Sequence, residues 1–114
     1  VPADAPPASP ARDQVFRALA DGSRRALFER LCREGELTVA RLTDGAGISQ
    51  PAVSRHLAVL KEGGLVEARP AGRATFYRAR ADRLAPLDDW TREMRATWHA
   101  RLHALDDVLR RMDN

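Results

Sequence analysis

Between Ser49 and His56 the chain places two hydroxyls, an amide, a guanidinium and an imidazole in the short run SQPAVSRH. These groups are suited to reading nucleic acid. Gln50 can hold an adenine through two hydrogen bonds, Arg55 can do the same to a guanine, and Ser54 can serve a base or a phosphate. Stepping about 100° per residue puts Val53, Leu57 and Leu60 on one side as a buried stripe, with Ser54, Arg55, Ala58 and Glu62 on the other. Gln50 falls between the two faces, and Ala52 and Ala58 are small enough for close approach. Ser49 is placed to cap this helix, with Pro51 tolerated in its first turn. The same hydroxyl can touch a phosphate, an anion that the unpaired N–H groups of a helix start also favour. His56 borders the stripe, where it either packs half-buried or contacts a base.

Further on, Arg69 and Arg73 flank the turn PAGR, and Tyr77 and Arg78 follow it. A basic hairpin tip beside a reading helix reaches neighbouring phosphates or the minor groove. The charge distribution agrees. Residues 1–48 hold seven Arg against seven acidic residues, and residues 81–114 hold six Arg against seven. Residues 49–80 hold six cations (Arg55, Lys61, Arg69, Arg73, Arg78 and Arg80) against Glu62 and Glu67. The formal net charge of +3 therefore resides in the segment that carries the reading groups. A localised basic field on a small chain is the footprint expected for a nucleic-acid partner.

Composition narrows the alternatives. The 114 residues are one domain's worth of chain, 44% hydrophobic and 31% charged. No apolar run approaches the roughly 18 residues of a membrane span, and the start carries no basic segment followed by an apolar run that would direct export. Cys32 is the single cysteine, so no internal disulfide is possible, which fits a reducing cytoplasm. Near a helix end it reads as a small packing residue. There is no Gly-rich phosphate loop, no metalloprotease helix motif and no nucleophile–base arrangement, so an enzyme is not expected.

Several elements must position these groups. Residues 1–11, with the proline-rich VPADAPPASP, read as a disordered tail before a domain spanning 12–114. A first helix is expected from Arg12 to Ala20 with Val15, Phe16 and Leu19 on one side. A second, capped by Ser23, buries Leu27, Phe28 and Leu31 as far as Arg33. ELTV is a short extended piece, and Ala40 to Asp44 a short helix. Gly63-Gly64 ends the reading helix, and LVEAR and ATFYRA form a hairpin. From Leu87 to Met112 there is no Gly or Pro, and Leu87, Trp90, Met94, Trp98, Leu102, Leu105 and Leu109 recur at spacings of three or four. So long a helix carries more apolar surface than a small domain covers, and a second copy is the simplest cover. The expectation is a mainly α fold with a small β-hairpin, a winged helix-turn-helix that dimerises through its terminal helices and Phe16.

The stretches LADGSRRALFERL, ELTVARL and ISQPAVSRHLAVLKEGGLVEARPAGRATFYRA, with the Trp-containing terminal helix, resemble the ArsR/SmtB family of bacterial transcriptional repressors over residues 12–112. The resemblance implies a homodimer on a palindromic operator that blocks transcription until a signal releases it. It places Gln50, Ser54, Arg55 and His56 in the recognition helix and Arg69, Arg73 and Tyr77 in the wing.

Many relatives sense metals through a Cys-x-Cys pair where this chain has Thr38 and Ala40, neither of which can ligate a soft metal. Redox-sensing relatives need two thiols. A third family site uses Asp and His on the terminal helix. Here His99 and His103 are one turn apart among Asp88, Asp89, Asp106 and Asp107, but Trp90 or Thr91 stands where the first His is usual. Trp90, Met94 and Trp98 line either a dimer core or an organic-ligand pocket. By elimination the chain resembles the metal-independent, autoregulating branch, with no cofactor. A zinc-responsive repressor using His99 and His103 is one alternative, and a winged helix that binds protein rather than DNA is another.

Overall fold

The computed structural model describes residues 9–113. They form two compact units that divide between Leu84 and Ala85. The first contains helices α1 (Pro10–Ala20), α2 (Gly22–Glu34), α3 (Val39–Thr43) and α4 (Gln50–Glu62), with strands β1 (Leu37–Thr38), β2 (Val66–Ala71) and β3 (Ala74–Ala79) and a closing 3₁₀ turn, Ala81–Leu84. The second is helix α5, Ala85–Met112. Most of the expected tail lies outside the described residues.

The first helix starts two residues before the expected Arg12, at Pro10, whose fixed φ suits a first turn. It buries Val15 and Ala18 rather than Phe16, which is 39% exposed. One residue, Asp21, separates α1 from α2. Asp21, not Ser23, caps α2, its Oδ1 accepting the Arg24 N–H at 2.9 Å. Two guanidiniums then fold back onto the end of α1. Arg24 donates from Nε to the Ala18 carbonyl (2.6 Å) and from Nη2 to that of Arg17 (3.0 Å), and Arg25 donates to that of Leu19 (2.7 Å). The last carbonyls of a helix lack intrahelical partners, so these bonds close the α1 terminus.

The core draws Val15 and Ala18 from α1, Leu27, Phe28 and Leu31 from α2, and Leu42 from α3. Val53, Leu57 and Leu60 of α4, with Leu65 and Val66 at the root of β2, complete it. Among the described residues no polar or charged side chain is buried. α4 ends in a Schellman arrangement. Gly64, at φ 77, donates to the Lys61 carbonyl, and Leu65 donates to that of Leu60 at 2.9 Å. Only glycine adopts that φ without strain, so the double glycine turns the chain directly from α4 into β2.

The β element is larger than the expected hairpin. The two residues of β1 add a third antiparallel strand, in the order β1-β3-β2, pairing Leu37 with Tyr77 and Thr38 with Phe76. In the hairpin itself Ala71 pairs with Ala74, leaving only Gly72 and Arg73 as the loop. Gly72 has φ 61 and no non-glycine residue among the described ones has positive φ, the pattern of a type II′ turn. Pro70 is accommodated inside β2 because that strand lies at the sheet edge.

α5 is 28 residues long, about 42 Å at 1.5 Å per residue. None of its residues is buried, and Trp98 is 58% exposed. No described helix is long and apolar enough to cross a membrane. Because Leu57 is fully enclosed between α4 and the rest of the core, Leu57→Ala is expected to destabilise the fold by about 2–5 kcal/mol, read from urea unfolding followed by circular dichroism.

Candidate nucleic-acid interface

The first turns of α4 turn their polar groups outward, as the spacing implies. Ser49 caps the helix, its Oγ accepting the Ala52 N–H at 3.3 Å. Ser49, Gln50, Ser54 and Arg55 are exposed, while Val53, Leu57 and Leu60 on the opposite face are 0% exposed. No ion pair or side-chain hydrogen bond among the described residues engages Gln50, Ser54 or Arg55. Arg73 occupies the hairpin tip and is likewise unengaged and exposed. Between the helix start and the wing lies a cleft of about 370 Å³ that brings together Gln50, Arg73 and Tyr77 with Thr38, Ala40 and Thr75. Tyr77 is half-buried in the central strand, paired with Leu37 on one side and Ala68 on the other.

Two expected contact residues are otherwise employed. His56 is half-buried and faces α2: its Nδ1 lies 3.4 Å from Arg24 Nη1 and its Nε2 lies 3.9 Å from Asp21 Oδ1. That is the packing role, which places its ring beside the α1–α2 junction rather than on the outer face of α4. Arg69 is held by Glu36 through two bonds, Nε to Oε1 at 2.9 Å and Nη2 to Oε2 at 3.0 Å. Its guanidinium also lies over the Phe76 ring, 5.1 Å from the centroid. The hydrogen bond from Arg69 holds the Glu36 carboxyl below its usual range, and the same bond raises Arg69.

Further along the hairpin Glu67 engages Arg78 at 2.9 Å and also pairs with Arg80, which reaches Asp82 at 3.1 Å. Bonding to Arg80 likewise lowers Asp82. Three of the six cations in residues 49–80 are thereby neutralised locally. Arg55, Arg73 and Lys61 remain, and Lys61 sits in the last turn of α4, far from the helix start. The basic field narrows to one arginine on the helix and one at the wing tip.

Glu36 and the Asp21–Arg24 pair were not visible as site-shaping residues in the sequence. Glu36 meets Arg69 only through the sheet, 33 positions away, and nothing local marks the pair. Cys32 is exposed rather than packed, and desolvation pushes its thiol pKa up, away from the reactive thiolate. His99, His103 and Asp106 border a shallow depression on α5. Among the described residues no group of three or more His, Cys, Asp or Glu side chains is placed to hold a metal ion.

A short helix, a Gly-containing turn, a helix with a polar outer face and a basic hairpin define a winged helix-turn-helix, the architecture of DNA-binding regulators rather than enzymes. Residues 8–69 match a family model described as a helix-turn-helix domain. The chain is 45% identical over 87 residues to the HTH-type transcriptional regulator Rv2034 of Mycobacterium tuberculosis, covering 72% of this chain and 80% of that protein. Its structure is similar to an ArsR-like transcriptional regulator from Rhodococcus sp. RHA1 (TM-score 0.75, 30% identity, 86% of this chain and 92% of that one). It is also similar to the homodimeric winged helix-turn-helix DNA-binding domain of a possible ArsR-family regulator from Mycobacterium bovis (TM-score 0.60, 28% identity, 81% of this chain and 90% of that one). The chain belongs to the ArsR family of helix-turn-helix transcriptional regulators.

Acid titration probes the contact between α2 and the recognition helix. The Asp21 carboxyl is lowered first by the Arg24 N–H it accepts, with the charges of His56 and Arg24 adding to the effect. A depressed folded value favours the ionised form in the native state. Its stabilisation is therefore present above the ordinary Asp value of about 3.9 and lost as pH falls through the lower folded value. Asp21→Asn keeps a capping acceptor but no charge, so its stability is expected to fall less steeply with acid than that of the parent chain. Urea unfolding at steps between about pH 5 and pH 2 reads the difference.

Proposed function

We propose that the protein is a homodimeric, sequence-specific transcriptional repressor that acts on a palindromic operator in the cytoplasm. The observation that carries this reading is the pair of unengaged arginines, Arg55 on the outer face of α4 and Arg73 at the wing tip, with Gln50 in the cleft between helix start and wing. A helix whose other face is buried can enter the major groove only with Gln50, Ser54 and Arg55 leading. Ser49 and Arg73 are then suited to phosphates, and Thr38 and Thr75 add hydroxyls to the same cleft. Tyr77 forms part of its wall. Occupying the operator would exclude the transcription machinery from it.

The dimer reading rests on α5. Met94, Trp98, Leu102, Leu105, Val108, Leu109 and Met112 are all exposed large hydrophobic residues on one helix. A stripe of that kind marks an interaction surface, and a second copy, joined also by Leu87, Trp90 and Phe16, is its simplest cover. Symmetry would then carry two recognition helices to successive major grooves about 34 Å apart. Residues 12–114 act together in this reading as one DNA-binding and dimerisation domain. Regulation without a metal inducer is supported by Thr38 and Ala40, whose side chains offer no soft ligand.

Selection of bound duplexes from a random pool is the direct test, and the expected product is two inverted half-sites about one helical turn apart. A protein-binding module would recover no sequence. Against the recovered operator, Arg55→Ala is expected to lose about 1–3 kcal/mol and to relax preference at one position of each half-site. Arg73→Ala should instead weaken all duplexes alike and flatten the salt dependence by about one unit per protomer. Trp98→Ala should shift sedimentation at low concentration toward the monomer, and an unchanged sedimentation coefficient would remove α5 as the interface.

A further inference from the structure

The exposed face of the wing holds a cation, Arg69, whose bidentate edge is already taken by a carboxylate. We infer that Glu36 is a negative determinant of DNA affinity, holding Arg69 against the sheet as a latent phosphate contact. The inference rests on the DNA-binding reading and extends it to a residue outside the helix and the wing tip.

The geometry is specific. Arg69 lies opposite Phe76 in the β2–β3 register, and Thr38 of β1 lies opposite Phe76 on the other side. Glu36, just before β1, therefore reaches Arg69 across the central strand, over the Phe76 ring. One edge of the guanidinium is occupied, Nε and Nη2 each donating to a different carboxylate oxygen. The ring beneath fixes its plane. Arg69 is four residues before Arg73, on the strand that runs into the Gly72–Arg73 turn.

The hold is reversible. The Arg69 side chain is 56% exposed, and an ion pair in that environment is weak and screened by salt. Phosphate can take the bidentate Nε/Nη2 edge only by displacing a carboxylate that itself repels DNA. A phosphate contact adds affinity for every sequence alike. Holding Arg69 back therefore lowers non-specific retention more than it lowers discrimination, and leaves Arg55 and Gln50 a larger share of the binding.

The test uses the full chain and its Glu36→Gln and Glu36→Gln/Arg69→Gln variants, with melting by circular dichroism as a control for folding. Anisotropy titrations on a selected operator and on an unrelated duplex are repeated between about 50 and 200 mM salt. Glu36→Gln is expected to bind both duplexes several-fold more tightly, with a salt slope steeper by about one unit per protomer, and the double variant is expected to return to the parent slope. Unchanged or weaker binding by Glu36→Gln overturns the inference, because Glu36 would then be neutral or would be aiming Arg69 at DNA. A gain that persists in the double variant also overturns it, assigning the effect to the carboxylate's own field. If the parent chain shows no salt-dependent DNA binding, the DNA-binding reading fails first and this inference fails with it.

Discussion

Everything the site can do depends on one face of α4 being buried. Val53, Leu57 and Leu60 are 0% exposed, and they meet core residues supplied by three other helices and the root of β2. A helix fixed along such a stripe cannot rotate without exposing it, so the opposite face is determined as firmly as the core is. Ser54 and Arg55 face outward for that reason. The burial also aims the wing. The Schellman end of α4 places Leu65, itself 0% exposed, directly after Gly64. The first residue of the wing segment is thus anchored in the same core as the helix.

A second layer of interactions sets how rigidly this platform is held. Asp21 ends α1 and caps α2, and Arg24 closes the α1 carbonyls while lying beside His56 of α4. Three helices therefore meet around one guanidinium. His56 is placed for this junction, and its neighbour Arg55 is left exposed and unengaged. The two adjacent side chains differ by about 100° in direction, which separates a packed side chain from an exposed one.

The sequence made the helix face legible because a period near 3.6 is a local property, readable from Val53, Leu57 and Leu60 alone. The capping role of Ser49, the double-glycine stop and the long α5 stripe were readable for the same reason. What escaped depended on contacts between distant residues. β1 is two residues long, and its place at the edge of β3 follows from pairing with Phe76 and Tyr77 nearly forty positions away. The local rule for the cap of α2 is satisfied by both Asp21 and Ser23, two residues apart, and only the backbone geometry selects Asp21. The charge count over residues 49–80 was correct as arithmetic but overstated the field. The acids that neutralise Arg69 and part of the charge of Arg80 are Glu36 and Asp82, which lie outside that window.

α5 shows why a second copy belongs in the reading. Its own ion pairs, Arg92 with Asp89 at 3.7 Å and Arg110 with Asp106 at 3.2 Å, are exposed and spaced within one turn. Pairs of that kind contribute about 0.3–0.5 kcal/mol each, and most helical stability in proteins comes from packing of an apolar face. From Trp98 onward the large apolar residues Leu102, Leu105, Leu109 and Met112 alternate spacings of four and three, the repeat that meshes one helix with another. Val108 widens the stripe beside Leu105 and Leu109. Nothing in the composition of the helix requires that face to be apolar unless it packs. In the homodimer proposed above, that face is the surface a second copy would cover.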